Sequence, residues 1–258
     1  MNSLFFKLFS STLLALLSCN AYAIVNLERA IIGPTTDGLH NRLDLLFSGA
    51  SGNTENKRDK VDLLTLWQHG DNSEFLQLQY TYGTSLGRVD TDNAFAHLRH
   101  RTEITPVWGV EGFAQISRDP FARLSERTLL GGGVRWVMIE ESKASAAYVG
   151  LGAFHEIERR TDVLGATDSP EIQLWRANVY LVLKYQFNDQ VRLINNTYYQ
   201  PAINNAGNFR LLEQASLMIR LDDNLDLKLS LEYTFDSIPA QTVQQRDIYY
   251  STGLTFSF

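Results

Sequence analysis

The stretch from Leu225 to Phe235 reads LDLKLSLEYTF. Leu225, Leu227, Leu229, Leu231, Tyr233 and Phe235 fall on one side of an extended chain, and Asp226, Lys228, Ser230, Glu232 and Thr234 on the other. A period of two is the side-chain repeat of a β-strand, not of a helix. The repeat recurs in LWRANVYLVLKYQF. There Trp175, Ala177, Val179, Leu181, Leu183, Tyr185 and Phe187 oppose Arg176, Asn178, Tyr180, Lys184 and Gln186. It recurs again up to Phe258, where Ile248, Tyr250, Leu254, Phe256 and Phe258 are spaced by Ser251, Gly253, Thr255 and Ser257.

Alternation alone also suits a soluble sandwich. The connections separate the two cases. Twelve candidate strands begin near residues 41, 60, 74, 93, 107, 126, 144, 172, 190, 209, 225 and 246. One set of connections is tight: Gly70-Asp71-Asn72, Thr105-Pro106-Val107, Glu141-Ser142-Lys143, Asn188-Asp189 and Asp222-Asp223-Asn224. The other is long: SGNTENKRD, YGTSLGRVDTD, SRDPFARLS, IERRTDVLGATDSPE, QPAINNAGN and DSIPAQTVQQ. Short turns on one rim and long loops on the other are the pattern of an outer-membrane barrel. Residues 24–258 contain no apolar run long enough for a membrane helix, and a closed barrel is the other way to pair every backbone group in lipid.

The sequence therefore predicts an all-β fold, a transmembrane antiparallel β-barrel of about twelve strands with short periplasmic turns and long extracellular loops. Aromatics mark two girdles at headgroup level. Trp67, Trp108, Trp136, Phe187, Phe256 and Phe258 fall near the short-turn ends, and Tyr80, Phe154, Trp175, Tyr233 and Phe235 near the long-loop ends. Phe258, Phe256 and Leu254 read as the terminal signal for the barrel-assembly machinery. Lys7, the apolar LFSSTLLALL and Ala21-Tyr22-Ala23 read as a signal peptide over 1–23, followed by a periplasmic leader over 24–39 and the barrel over 40–258. Cleavage would remove Cys19, the only cysteine, and Lys7. The basic count then falls from 23 to 22 against 29 acidic residues, a net charge of −7 that argues against nucleic acid as a partner.

The stretches SGNTENKRDK, HLRHR, EGFAQ, FARLSERTLLGGGVRW and VGLGAFHEIE together resemble a family of bacterial outer-membrane proteins of unknown function, often labelled salt-induced outer-membrane proteins. The resemblance covers roughly 40–258. It implies location and a barrel fold, and no established activity.

Strand parity aims His97, Arg99, Arg101, Glu111, Gln115, Arg127, Arg135 and Glu156 into the lumen from four neighbouring strands. The opposite wall adds Arg176, Lys184, Arg192, Arg220, Lys228 and Glu232, with Asp226. Two readings follow. These side chains either pair with one another and fill the barrel, or line a narrow pore for small polar or anionic solutes, since rings of Arg and Lys select anions. Parity also makes Leu229→Arg costly and Lys228→Leu far milder. The loop after Glu156, with Glu158, Arg159, Arg160, Asp162, Asp168 and Glu171, suits lipopolysaccharide and its cations or simple solvation. No cofactor is implied. His97 and His100 point to opposite faces and share no metal. Outer-membrane lipid hydrolases carry a His-x-Ser pair on one strand face. The nearest match is His100-x-Thr102, which reads most simply as an exposed rim histidine, so no enzyme is expected.

Overall fold

The computed structural model describes residues 36–51, 55–142 and 145–258. The expected signal peptide, most of the leader, the Gly52-Asn53-Thr54 turn and Lys143 lie outside the described residues. The rest is a closed antiparallel barrel whose strands follow one another around the ring in sequence order, with β1 meeting β12.

The strands are β1 (Gly38–Ala50), β2 (Asn56–His69), β3 (Asn72–Ser85), β4 (Arg88–Thr105), β5 (Trp108–Asp119), β6 (Leu124–Ser142), β7 (Ser145–Arg160), β8 (Glu171–Gln186), β9 (Val191–Ala202), β10 (Asn205–Asp222), β11 (Leu225–Asp236) and β12 (Arg246–Ser257). All twelve expected strands are present. Consecutive strands meet as hairpins, so each register is set locally. Reciprocal bonds between Asn41 and Phe258, at 2.8 and 3.0 Å, fasten the last residue to the first strand.

The two rims differ less than the sequence suggests. The segments YGTSLGRVDTD and QPAINNAGN, expected as loops, are mostly strand. β3 and β4 run on to a two-residue turn at Leu86-Gly87, and β9 and β10 to one at Ile203-Asn204. Both Leu86 (φ 48°) and Gly87 (φ 73°) are left-handed, the backbone that a two-residue hairpin with a right-handed twist requires. Among the described residues the long connections that remain are 161–170 and 237–245, with a 3-10 turn at Pro120–Ala122 capped by Asp119.

The outer wall is apolar. Leu76, Leu98, Val110, Leu130, Leu151, Leu229 and Leu231 are all exposed on it, an arrangement that water would penalise and lipid would not. Trp67, Trp108, Trp136 and Phe187 are exposed near the short-turn rim, and Tyr80 and Trp175 towards the other. Trp108 and Trp136 face each other across β5 and β6 and stack at 6.0 Å. Phe154 departs from its expected place in the outer girdle. It has the parity of Glu156 and is buried inside.

The wall is not uniform. β1 and β12 pair only from Asn41–Phe47 against Thr252–Phe258. Beyond that, Ser48–Ala50 pair with β2 alone and Arg246–Ser251 with β11 alone. An outer concavity of about 760 Å³, lined by Phe47, Leu217, Leu229, Leu231 and Tyr250, lies along this seam.

Candidate functional site in the barrel lumen

Alternation puts every second side chain of each strand inside, where it must pack or pair. Near the long-loop rim the hub is Glu156 on β7. It receives Arg176 of β8 and Arg210 of β10, and Arg127 of β6 lies 3.5 Å away. Arg210 also binds Glu158 at 2.6 Å and Asp236 at 2.8 Å. Arg160 extends the network from Glu158 to Asp168, at 2.9 and 3.0 Å. Asp168 then meets Arg123 of the β5–β6 connection at 3.0 Å and accepts from the Gln241 N–H at 3.2 Å. Three connections are thus clasped over one side of the mouth. For Asp168, burial works to raise its pKa, but the hydrogen bonds from Arg123, Gln241 and Arg160 outweigh it and hold the carboxyl below its ordinary value.

At mid-depth Arg99 and Arg101 converge on one oxygen of Glu111, at 3.3 and 3.2 Å, and the Tyr180 hydroxyl donates to the other at 2.5 Å. The guanidinium of Arg99 lies over Phe113, and that of Arg101 over Phe75. His97 is stacked between Phe95 and Phe113 and bonds Gln115 at 3.1 Å. Gly150 makes room for Tyr180, because a Cβ there would fall 1.9 Å from the ring. On the far wall Asp44 of β1 receives Lys228 of β11, Arg42 at 3.3 Å and the Thr255 hydroxyl at 2.8 Å. Arg192 pairs with Asp226 at 2.5 Å. Towards the short turns Arg135 bonds Glu103 at 3.2 Å and covers the Tyr148 ring, which Lys184 also approaches.

The lumen is therefore filled. Every strand contributes a buried inward side chain: Asp44, Leu64, Phe75, Arg99, Phe113, Leu129, Phe154, Tyr180, Tyr198, Leu212, Lys228 and Thr255 in strand order. Apolar and aromatic groups pack between the ion pairs. Space opens above this layer. A vestibule of about 450 Å³ faces the long-loop rim on the β1–β6 and β10–β12 side. Its inward charged lining includes Arg58, Lys60 and Arg127 against Asp119 and Glu232, while Lys57 and Arg118 pair with Asp59 and Asp92 on the outer side. Lys60 reaches Glu232 across the lumen at 3.5 Å, and Gln214 donates to the same carboxylate at 2.9 Å.

His97, Arg99, Arg101, Glu111, Gln115, Arg127, Arg135 and Glu156 thus all point inward, in three neighbouring groups rather than one ring. Arg176, Lys184, Arg192, Lys228 and Glu232 also point inward. Arg220 shares the inward parity, opposite Asp226, and is exposed at the short-turn end of β10, where a register shift ends the regular pairing. Glu158, Arg159 and Arg160, expected in a loop, belong to β7. Sequence reasoning missed Arg210, Asp236, Arg42 and Asp44. Arg210 stands two residues after the QPAINNAGN segment expected as a loop, and counting back from Leu212 would have found it. Phe258, Phe256 and Leu254 lie on the outer side of β12, at the seam with β1.

A family model matches residues 44–258, five-sixths of the chain, and its description is "Protein of unknown function, DUF481". The chain belongs to the DUF481 family. No curated protein sequence matches it. Among solved structures it resembles the NanC porin (13% identity, 85% of this chain and 99% of that one, TM-score 0.54). It also resembles the translocator domain of autotransporter NalP from Neisseria meningitidis (13% identity, 87% and 90%, TM-score 0.47). A third is the KdgM porin in complex with disordered oligogalacturonate (10% identity, 84% and 99%, TM-score 0.46). At 13% identity the similarity to the NanC porin establishes the fold alone, a porin-like barrel.

Proposed function

We propose that this DUF481 chain is an outer-membrane barrel of porin-like architecture, closed at mid-depth in its resting form, whose mouth takes in small anionic or polar solutes. The observation that carries the reading is the filled lumen beneath a vestibule into which Arg and Lys side chains project. All twelve strands close the cross-section, while the space above holds the inward cations Arg58, Lys60 and Arg127 beside Asp119 and Glu232. Rings of Arg and Lys favour anions. The apolar outer wall and its aromatic ends support a bilayer setting. In it the short turns face the periplasm, after export and cleavage near Ala23, and the last strand serves as the assembly signal. The clasp around Asp168 faces outward, towards lipopolysaccharide. A closed, ion-paired barrel also suits the envelope-stress role that the salt-induced label implies.

A second reading is a permanently closed structural or surface-binding barrel, favoured by the clasp of three connections over the mouth. Single-channel conductance of the refolded protein across a salt gradient separates the two. The first reading expects rare, small, anion-selective steps from the wild type and frequent, larger ones from Arg210→Ala and Arg99→Ala. Steady large steps from the wild type would refute closure, cation preference would refute the vestibule's role, and silence in all three proteins would favour the permanently closed barrel.

A further inference from the structure

On the outer wall near the short-turn rim, three strands bring together groups that the lumen does not use. Thr102 and His100 sit two apart on the outer side of β4, and Oγ1 of Thr102 lies 3.0 Å from Nε2 of His100. The other ring nitrogen, Nδ1, lies 2.9 Å from Oε1 of Glu74 on β3. The second oxygen of Glu74 is held by His69 of β2 at 2.7 Å. Asn72 stands 2.7 Å from the Thr102 hydroxyl. Hydroxyl, imidazole and carboxylate in line are the arrangement of a nucleophile, its base and the group that orients the base. Asn72 accepts the hydroxyl hydrogen as drawn. With its amide turned over, every heavy atom stays in place, Asn72 donates, and the hydroxyl hydrogen goes to His100.

A second observation concerns what lies beside His100. The cross-strand row that starts there continues through Gly112, Gly132, Ala153 and Ala177, all on the outer side. Beside Gly132, Ala153 and Ala177 the flanking rows are bulky and exposed, with Leu130 and Trp175 on one side and Val134 and Leu151 on the other, and beside Gly112 one flank is Ala114. The result is a furrow one side chain deep. It climbs from near the rim at Gly112 towards mid-strand at Ala153 and Ala177. At its entrance a Cβ on Gly112 would meet nothing closer than 3.9 Å. A furrow of this shape on an apolar wall fits an acyl chain. The Trp67, Trp108 and Trp136 level at its foot is where amphipathic rings place the headgroups and ester bonds of a lipid.

We infer that this face is an esterase site for acyl lipids of the surrounding membrane, with Thr102 as nucleophile, His100 as base, and Glu74 as the residue that positions His100. Oγ1 of Thr102 attacks the ester carbonyl carbon as its proton passes to Nε2 of His100. The Asn72 amide is placed to donate to the carbonyl oxygen as it becomes negative. His100 returns the proton to the leaving alcohol oxygen as the C–O bond breaks, which leaves the acyl group on Thr102. Water then attacks the acyl-threonine, with His100 again taking and returning one proton. The net reaction is ester and water to carboxylic acid and alcohol.

The test is fatty-acid release by the full-length refolded barrel from mixed micelles of a diacylglycerophospholipid. Thr102→Val and His100→Asn should lower the rate by about 100-fold or more, and Thr102→Ser should keep or raise it. Glu74→Gln should lower kcat with little change in KM. Gly112→Leu, which fills the furrow, should slow long-chain esters more than p-nitrophenyl acetate. An alkyl fluorophosphonate should add to Thr102, as located by peptide mass mapping. Heat-dependent gel migration verifies that each variant is a folded barrel. A folded wild type that releases no more acid than Thr102→Val, or an adduct that forms elsewhere, would overturn the assignment.

Discussion

Lys228 and Leu229 are neighbours on β11 whose side chains enter different media. Leu229 is 41% exposed on the outer wall and Lys228 is 1% exposed in the lumen. An arginine at a lipid-facing mid-strand position costs about 2–4 kcal/mol, so Leu229→Arg should fall in that range. Parity alone makes Lys228→Leu far milder, and the structure removes that expectation. The Lys228 ammonium sits on Asp44, which is itself fully buried. Without it, Asp44 keeps Arg42 at 3.3 Å and the Thr255 hydroxyl at 2.8 Å, a partial compensation. Breaking a buried pair costs about 3–5 kcal/mol, and with Arg42 remaining we expect about 3 kcal/mol. The two substitutions should thus be comparable in size and different in cause. Reversible urea unfolding in lipid vesicles, followed by tryptophan fluorescence, measures both. A double-mutant cycle of Lys228→Leu with Asp44→Asn should give a coupling of about 2 kcal/mol, while Leu229→Arg should couple to Asp44→Asn by less than about 0.5 kcal/mol. A Lys228→Leu cost below about 1 kcal/mol, or no coupling to Asp44, would refute the argument.

Gly150→Val should destabilise by at least about 1–3 kcal/mol, because its Cβ displaces the Tyr180 ring from Glu111, and near-ultraviolet circular dichroism should report the loss of tyrosine order. Leu86→Asn should stabilise by about 0.5–1 kcal/mol, read as a shift in the urea midpoint, since Asn tolerates the left-handed turn that Leu86 adopts. The clasp over the mouth should depend on pH in a definite direction. A carboxyl whose pKa is lowered on folding stabilises fully above its ordinary value, and that contribution is lost as pH falls through the lowered one. Limited proteolysis of 161–170 should therefore be slow at neutral pH and accelerate only under acid conditions, and Asp168→Asn should be cut rapidly at both.

Strand number, order and facing were legible because one face of each strand meets an apolar medium. A period of two survives wherever the two sides of a wall differ. The rims were less legible. Tyr80, Tyr82 and Thr84 continue the pattern of β3, but Gly83 and the polar run after Leu86 resemble a loop until the two-residue turn is known. The inward charges on β4 to β7 stood out because apolar neighbours flank them. Arg210 was hidden by the glycine and asparagines just before it, although it joins three carboxylates. What no alternation reveals is partnership. Asp44 and Lys228 are 184 residues apart and meet only because the ring closes.

The partial pairing of β1 with β12 bears on how the vestibule communicates. The vestibule lining and the outer concavity share Ser48, Gly49, Ser230, Tyr250 and Ser251. The two spaces are thus separated by little more than strand edges that do not bond one another. The mouth at the long-loop rim is then not the vestibule's sole boundary of exchange, because the compartment also abuts the surroundings sideways, through a slit. In such a vessel the weakest part is its side seam rather than its floor. An amphiphile lodged there would keep its polar end among the vestibule's arginines and lysines and its tail outside the wall.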